Sequence, residues 1–498
     1  SSIPIKVLSE NLTDDQKKDF CITHFFNPVR YMGLLEIVKN ENNDLNKINQ
    51  LKKFCEIELG KGAIICNDTP GFLGNRVGVY AMQVAMTEAF KMKLSIEEAD
   101  ALTGPAMGRP KTGTFRLGDL VGHDTSAKVV QGIKDNCPDD EQVHTMDVPA
   151  YMNFLLENKF YGDKSGQGFY QKTKEKDAKG RRVINALNLQ TMKYAPSQRP
   201  SLASVKKAKE IESLPNKITH FFEAEDKGGE LVRRSLLGLF AYVSNRVPEI
   251  SDTTFAIDDA VRAGFGWDVG PFQYWDMVGV KKGIELAEKQ GEKIADWVKE
   301  MAAAGHDTFY KTQDGIPYFY NQISKSYEPV KGIEEFIILD NLREKAPVFK
   351  NTEVVLHDIG DGVLCLEFTS KANSIGEGVL NGINEAIRIA EEDGWRGLVI
   401  GNNDKNFSVG ANVMMIGMFA FQQEWDQLNQ AVNIFQQTTM RCRYSSIPVV
   451  AATQGYVFGG GCEILMHCDA GVVAAESYVG LVEAGIGLLP GGGGTKEF

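Results

Sequence analysis

Two pairs of residues have the types and spacing to move protons. His24 and Glu36 lie twelve positions apart. His24 ends an apolar stretch in Thr23-His24-Phe25-Phe26-Asn27-Pro28, and Glu36 sits inside another, Leu34-Leu35-Glu36-Ile37-Val38. A carboxylate within an apolar strand needs a partner, because an unpaired buried charge is costly. A facing histidine would be that partner and would be readied as a general base. The alternative is a core histidine satisfied by ordinary hydrogen bonds. Glu463 and Glu483 form the second pair, twenty positions apart. Glu463 closes the run Gly455-Tyr456-Val457-Phe458-Gly459-Gly460-Gly461-Cys462-Glu463, which follows a strand and opens a helix. Glycines there let backbone N–H groups approach a ligand, and the helix start adds a positive dipole. With Phe407-Ser408-Val409-Gly410-Ala411, two such loops could hold a carbonyl oxygen that is turning negative. Paired carboxylates can grip one water and divide acid and base work. The alternative is two solvated surface charges.

These residues need elements to position them. Residues 1–67 read as the back half of an α/β unit, with a strand near 20–24, a helix over 45–59 stopped by Gly60, and a buried strand at 63–66. A long apolar helix follows from Asn75 to Met92, and 68–172 is mostly helical. Residues 173–226, rich in Lys, Arg and Pro, read as a linker. A repeat then appears: the decamer at 113–122 matches that at 270–279 at five of ten positions. Each follows an acidic helix start, at Ile96-Glu97-Glu98-Ala99 and Ile257-Asp258-Asp259-Ala260, so 227–342 is expected to be a second helical domain related to the first. In it Trp267, Tyr274 and Trp275 are expected in the core. After a second linker at 343–352, strands and helices alternate through 353–498, an α/β pattern.

The chain has 498 residues, 43% of them hydrophobic and 24% charged, which excludes wholesale disorder. The net charge of −12 argues against a nucleic-acid partner. No apolar stretch is long enough to span a membrane. The eight cysteines, at 21, 55, 66, 137, 365, 442, 462 and 468, include no C-x-x-C pair and suit reduced thiols in a cytoplasmic setting. No metal site is expected. The chain opens on Ser1-Ser2-Ile3 without an initiator Met and stops soon after a glycine run at 491–494. It is expected to begin inside a longer protein and to end before its last domain closes.

The segments at 407–411 and 455–463, with Val482-Glu483 and Pro490-Gly491, resemble the crotonase (enoyl-CoA hydratase/isomerase) family over about 353–498. The resemblance implies that the Ala411 and Gly460 N–H groups form an oxyanion hole for a thioester enolate. It also implies that Glu463 and Glu483 activate water for addition to a 2-enoyl-CoA. Family isomerases often keep one of these acids, so two favour a hydratase. Asn412 stands where an Asp is common, with little effect expected.

The string from Thr23 to Val29 with Glu36, then Lys61, Asp68-Thr69-Pro70-Gly71-Phe72 and Asn75-Arg76, resembles L-3-hydroxyacyl-CoA dehydrogenase, as does the turn-rich segment at 162–170. The resemblance runs through about 1–172. It implies His24 as the base that takes the 3-hydroxyl proton while hydride leaves C3 for NAD, with Glu36 orienting the imidazole. Ser1 and Asn75 match the family's substrate-holding polar residues. The NAD fingerprint G-x-G-x-x-G is absent: glycine clusters at 162–168, 264–270 and 455–461 lack the strand–turn–helix setting with a later acid. No cofactor-binding residue is therefore assigned. The second repeat resembles the second helical domain of multifunctional β-oxidation proteins and lacks an Asn-Arg pair like Asn75-Arg76, so a structural, substrate-covering role is expected.

The expected architecture is a multidomain chain. It comprises a partial Rossmann-type α/β segment, two related all-α dehydrogenase C-terminal-type domains and a partial crotonase-type α/β domain. The expected activity is that of a bifunctional fatty-acid β-oxidation enzyme using NAD and acyl-CoA thioesters. Expected partners are thiolase and further copies of the intact protein. The alternatives are a non-catalytic acyl-CoA-binding scaffold or a dehydrogenase fused to an enoyl-CoA isomerase.

Overall fold

The computed structural model describes residues 3–334, 336–343 and 345–497. Ser1, expected to hold substrate, lies outside them. The chain forms two compact units, one of Ser1–Lys311 with Tyr318–Pro329, the other of Thr312–Pro317 with Val330–Phe498.

The first unit opens on a three-stranded sheet of β1 (Ile22–Phe25), β2 (Leu34–Val38) and β3 (Gly62–Cys66), in that order. All five residues of β2 are buried, as a central strand covered on both faces requires. β1 runs antiparallel to β2, and β3 parallel. The crossover between β2 and β3 is α1 (Leu45–Ile57), started by Asp44 accepting the Asn46 N–H. Next comes α2 (Gly74–Lys91), eighteen residues long and buried over most of its length.

The repeat is built into the structure. α3 (Ile96–Thr103) and α4 (Phe115–Val121) belong to the first copy. α5 (Lys227–Arg246), α6 (Thr254–Phe265) and α7 (Pro271–Val278) belong to the second. In the first, Asp100 accepts the N–H groups of Phe115 and Arg116 and the Tyr170 hydroxyl. In the second, Asp258 accepts those of Phe272 and Gln273 and the Tyr310 hydroxyl. Both α4 and α7 end on a glycine with φ near +92°, Gly122 and Gly279, a conformation that favours glycine. The copies meet where Tyr80 of α2 stacks on Tyr242 of α5, ring centroids 3.9 Å apart. Trp275 and Tyr274 are fully buried and Trp267 nearly so, as their expected place in the core requires.

The linker expected over 173–226 is folded. β4 (Tyr170–Lys176), β5 (Arg182–Asn188) and β6 (Lys193–Pro196) form an antiparallel sheet, and the helices Ala203–Ala208 and Leu214–Glu223 follow. Its strands bury few side chains, Ala186 and Leu187 among them, and expose their Lys and Arg, so the charge hides the alternation. Asp119 fixes its start by accepting the N–H groups of Phe169 and Tyr170. Asp276 does the same for Phe309 and Tyr310. Strands β7 (Tyr310–Gln313), β8 (Ile316–Asn321) and β9 (Ser326–Pro329) follow, so the second repeat is not wholly helical either.

The second unit is a six-stranded sheet of β10 (Phe349–Lys350), β11 (Val354–Asp358), β12 (Val363–Phe368), β13 (Gly397–Gly401), β14 (Val449–Thr453) and β16 (Ala470–Val473), in that order. β10 lies within the expected linker at 343–352 and pairs with β11. β11 and β12 form the expected hairpin, and from β12 onward the pairs are parallel. Helix α8 (Glu377–Glu392) packs its apolar face on the sheet; α9 (Val413–Phe421) and α10 (Trp425–Arg443) follow. β15 (Tyr456–Phe458) leads into α11 (Gly460–His467) and pairs with β17 (Tyr478–Gly480). No described helix is long and apolar enough to cross a membrane. All eight cysteines are free thiols.

Candidate active sites

His24 and Glu36 are direct cross-strand partners on β1 and β2. Their side chains meet with His24 Nδ1 2.6 Å from Glu36 Oε2. Glu36 is fully buried, and its other oxygen accepts the Leu73 N–H at 2.9 Å and the Gly74 N–H at 2.7 Å. These are the opening amides of α2, so the positive end of that helix faces the carboxylate. An ionised carboxylate can only accept, which makes Nδ1 the donor and leaves the Nε2 lone pair free. The ring is wedged edge-on between Phe26 and Phe72, centroids 5.3 and 5.5 Å away. Phe72 has φ +49°, rare for a bulky residue, at the turn that aims α2 at Glu36. A Cβ on Gly74 would press to 2.8 Å on Leu34 and Phe26, so only glycine lets the helix start this close. Asn75 follows at once on α2, half-buried.

Arg76, adjacent in the same turn, carried no expected role. It is buried, donates to Tyr242 at 2.8 Å and meets Asp140 at 2.7 Å. Arg246 of α5 reaches the same Asp140 oxygen at 3.0 Å. The second repeat thus holds the helix turn that carries Asn75. Only a charged residue in an apolar helix signalled this in the sequence.

In the second unit, the loops that follow β13 and β14 leave the carboxyl ends of adjacent parallel strands, where open α/β sheets bind ligands. An isolated bridge ties them together, Ser408 to Val457, and a second ties Ala411 to Ile375 ahead of α8. Ser408 is fully buried; its hydroxyl donates to the Asn373 carbonyl and accepts the Gly410 N–H. Nothing in its sequence neighbourhood singles it out. Gly410 has φ +99°, and a Cβ there would stand 3.4 Å from the Gly460 nitrogen, so the two loops touch at this glycine. Among the described residues, neither the Ala411 nor the Gly460 N–H meets a protein acceptor.

Glu463 lies in the first turn of α11, buried, with Oε1 accepting the Gly492 and Gly494 N–H groups at 2.8 Å each. Burial raises its carboxyl above the usual range, the nearby Glu483 charge adds to this, and the two N–H groups oppose it. A Cβ on Gly459, whose φ is +51°, would lie 3.0 Å from Glu483 Oε1. Glu483 Oε2 is buried without a protein partner. Glu483 thus faces the Gly459 turn and Glu463 the 492–494 turn, and Glu483 Oε2 has capacity to hold a polar ligand atom. Among the described residues no group of three or more His, Cys, Asp or Glu side chains is arranged to hold a metal.

Residues 1–69 match the 3-hydroxyacyl-CoA dehydrogenase NAD-binding domain, 71–172 the C-terminal domain of the same enzyme, and 358–498 the enoyl-CoA hydratase/isomerase family. The chain is thus similar to a 3-hydroxyacyl-CoA dehydrogenase over its first third and to the enoyl-CoA hydratase/isomerase family over its last part. His24, Glu36 and Asn75 fall in the first, and Ala411, Gly460, Glu463 and Glu483 in the second. The whole chain is 38% identical to a probable 3-hydroxyacyl-CoA dehydrogenase of Bacillus subtilis, covering 62% of it. It is 28% identical, also over its whole length, to a putative fatty acid oxidation complex trifunctional enzyme of Rickettsia felis, covering 64% of that protein. The chain thus spans less than two thirds of either relative. A solved enoyl-CoA hydratase of Bacillus anthracis aligns with 29% of this chain and 56% of its own, at 26% identity and a TM-score of 0.27.

The dehydrogenase segment contributes β1–β3 and α1 to a dinucleotide fold, with no phosphate-cradling glycine loop among them. Gly162 and Gly168 pack against Asp119, and Gly270 against Asp258. The 455–461 cluster belongs to the glutamate site. Among the described residues, no glycine loop forms a cradle for NAD.

Proposed function

We propose that the intact protein carries out two consecutive steps of fatty-acid β-oxidation. The hydratase/isomerase segment hydrates a trans-2-enoyl-CoA, and the dehydrogenase segment oxidises the resulting L-3-hydroxyacyl-CoA to 3-ketoacyl-CoA. The observation that carries this is the His24–Glu36 contact, anchored by the opening amides of α2.

In the oxidation, the substrate 3-hydroxyl lies against His24 Nε2. Nε2 takes the hydroxyl proton as the C3 hydrogen leaves as hydride. Glu36 holds the ring in the proton-accepting tautomer and stabilises the imidazolium that forms. Asn75, with Ser1, holds the substrate oxygens. NAD is the hydride acceptor expected of the intact protein.

In the hydration, the thioester carbonyl points at the Ala411 and Gly460 N–H groups, which stabilise the enolate oxygen. Glu463 and Glu483 hold one water between them. Its hydroxyl adds to C3, and between them the two carboxyls take up one proton and deliver one to C2. The product is the substrate of the first site, so covalent linkage raises its local concentration there. A thiolase that consumes the 3-ketoacyl product, further copies of the intact protein, and a cytoplasmic location belong to the same proposal. The relative named as part of a fatty acid oxidation complex supports it.

The test is crotonyl-CoA hydration and acetoacetyl-CoA reduction by the intact protein. Both activities are expected, and absence of both rejects the proposal. Double-bond migration without incorporation of solvent oxygen would replace the hydratase by an isomerase.

A further inference from the structure

The substrate reacts at C3, so whatever lies beyond His24 decides how much acyl chain fits behind it. That chain must enter apolar surroundings, since leaving it in water forfeits the hydrophobic gain of each methylene. The flank of His24 is Phe26, and Phe26 meets Phe265 edge-on, centroids 6.1 Å apart. Phe265 is the last residue of α6 and belongs to the second repeat. Its ring lies across α2 at Gly78, where a Cβ would fall inside the ring. Gly78 is one turn beyond Asn75. On the far side stands Trp267, 6.4 Å from the Phe265 ring.

Past that ring the space continues. A cavity of about 20 Å³, room for little more than a water, is lined by Met82, Leu117, Phe265 and Trp267 together with Arg109 and three threonines, Thr103, Thr112 and Thr114. Ala81 and Met82 lie one turn farther along α2 than Gly78. The Arg109 guanidinium lies 3.7 Å over the Trp267 ring. Phe265 therefore stands between Phe26, on the flank of His24, and this void.

We propose that Phe265 sets the acyl-chain length accepted by the dehydrogenase site, closing a channel between α2 and the second repeat. The inference rests on the oxidation described above. With Phe265 in place the channel ends near Gly78 and short chains are favoured. With a smaller side chain it joins the void beside Trp267.

The test compares the intact protein with its Phe265→Ala, Phe265→Leu and Phe265→Trp variants. One readout is kcat/KM for reduction of four-carbon and longer-chain 3-ketoacyl-CoA substrates. The other is binding of a sixteen-carbon acyl-CoA, followed by tryptophan fluorescence, which needs no turnover. The long-to-short ratio should rise by about tenfold or more in Phe265→Ala, rise less in Phe265→Leu, and fall in Phe265→Trp. Long-chain binding should tighten in the same order. An unchanged ratio with unchanged long-chain binding in any variant that folds overturns the proposal. Absence of four-carbon reduction in the unmodified protein would instead sink the dehydrogenase assignment, and the binding series would then decide the channel by itself.

Discussion

Asp100 and Asp258 occupy the same joint in the two helical repeats. Each sits on the helix before the matched decamer, accepts two amides from the helix inside it, and accepts a tyrosine hydroxyl from the strand beyond. Burial pushes Asp258 up to about 8 and Asp100 to about 7, against the pull of those hydrogen bonds. A carboxyl raised in the folded state binds more protons there than in the unfolded chain. Its stabilising contribution is complete below the unfolded value near 4 and is lost as pH rises through 7 to 8. Melting temperature of the first unit, followed in the intact protein, should therefore fall between pH 5 and 8, and Asp258→Asn should flatten part of that slope. A melt whose temperature rises over this range would contradict it.

Glu36→Gln tests the tautomer. The amide keeps an oxygen for Leu73 and Gly74 but turns an N–H group toward Nδ1. That makes Nδ1 the acceptor and puts the ring proton on Nε2, the wrong form for taking a proton. Reduction of acetoacetyl-CoA should drop by about 10²–10⁴-fold. Crotonyl-CoA hydration should be untouched. His24→Ala should give a loss of similar size.

Glu463→Gln and Glu483→Gln are the converse. Each should lower crotonyl-CoA hydration by about 10²–10⁴-fold while leaving the dehydrogenase reaction alone. Near-wild-type hydration in either variant would remove that residue from the proton bookkeeping of the site.

Arg76→Leu should destabilise the first unit by about 3 kcal/mol or more, because it leaves Asp140 buried beside fewer donors. Urea unfolding monitored by tryptophan fluorescence reads this directly. The same substitution loosens the turn that carries Asn75, so KM for the ketoacyl substrate should rise in protein that remains folded.

Much of this was legible in the chain itself. Glu36 within an apolar run demanded a partner, and the twelve-residue separation suits a hairpin-like return to His24. The glycines at 455 and 459–461 announced a loop, because backbone freedom explains glycine at that density, and Gly410 marked a second. What escaped were groups defined by long-range geometry. The Gly492 and Gly494 amides that grip Glu463 come from a segment twenty-nine or more residues away. Ser408 is an ordinary serine until its neighbours are known. The 173–226 segment misled because short strands that bury few side chains leave a weak period-two signal under a heavy lysine load. Ser1 lies outside the described residues, so its expected contact with substrate stands as a proposal.

The duplicated domain gives the molecule an internal control. What both copies keep, the aspartate joints, the paired tyrosines and the left-handed glycines, is architecture. What only one copy keeps, Asn75 with Arg76 at a helix start, or His123 against Asp119 where the other copy has Val280, is not required by that shared architecture. Swapping the unshared residues between halves would separate the chassis from the engine within a single polypeptide.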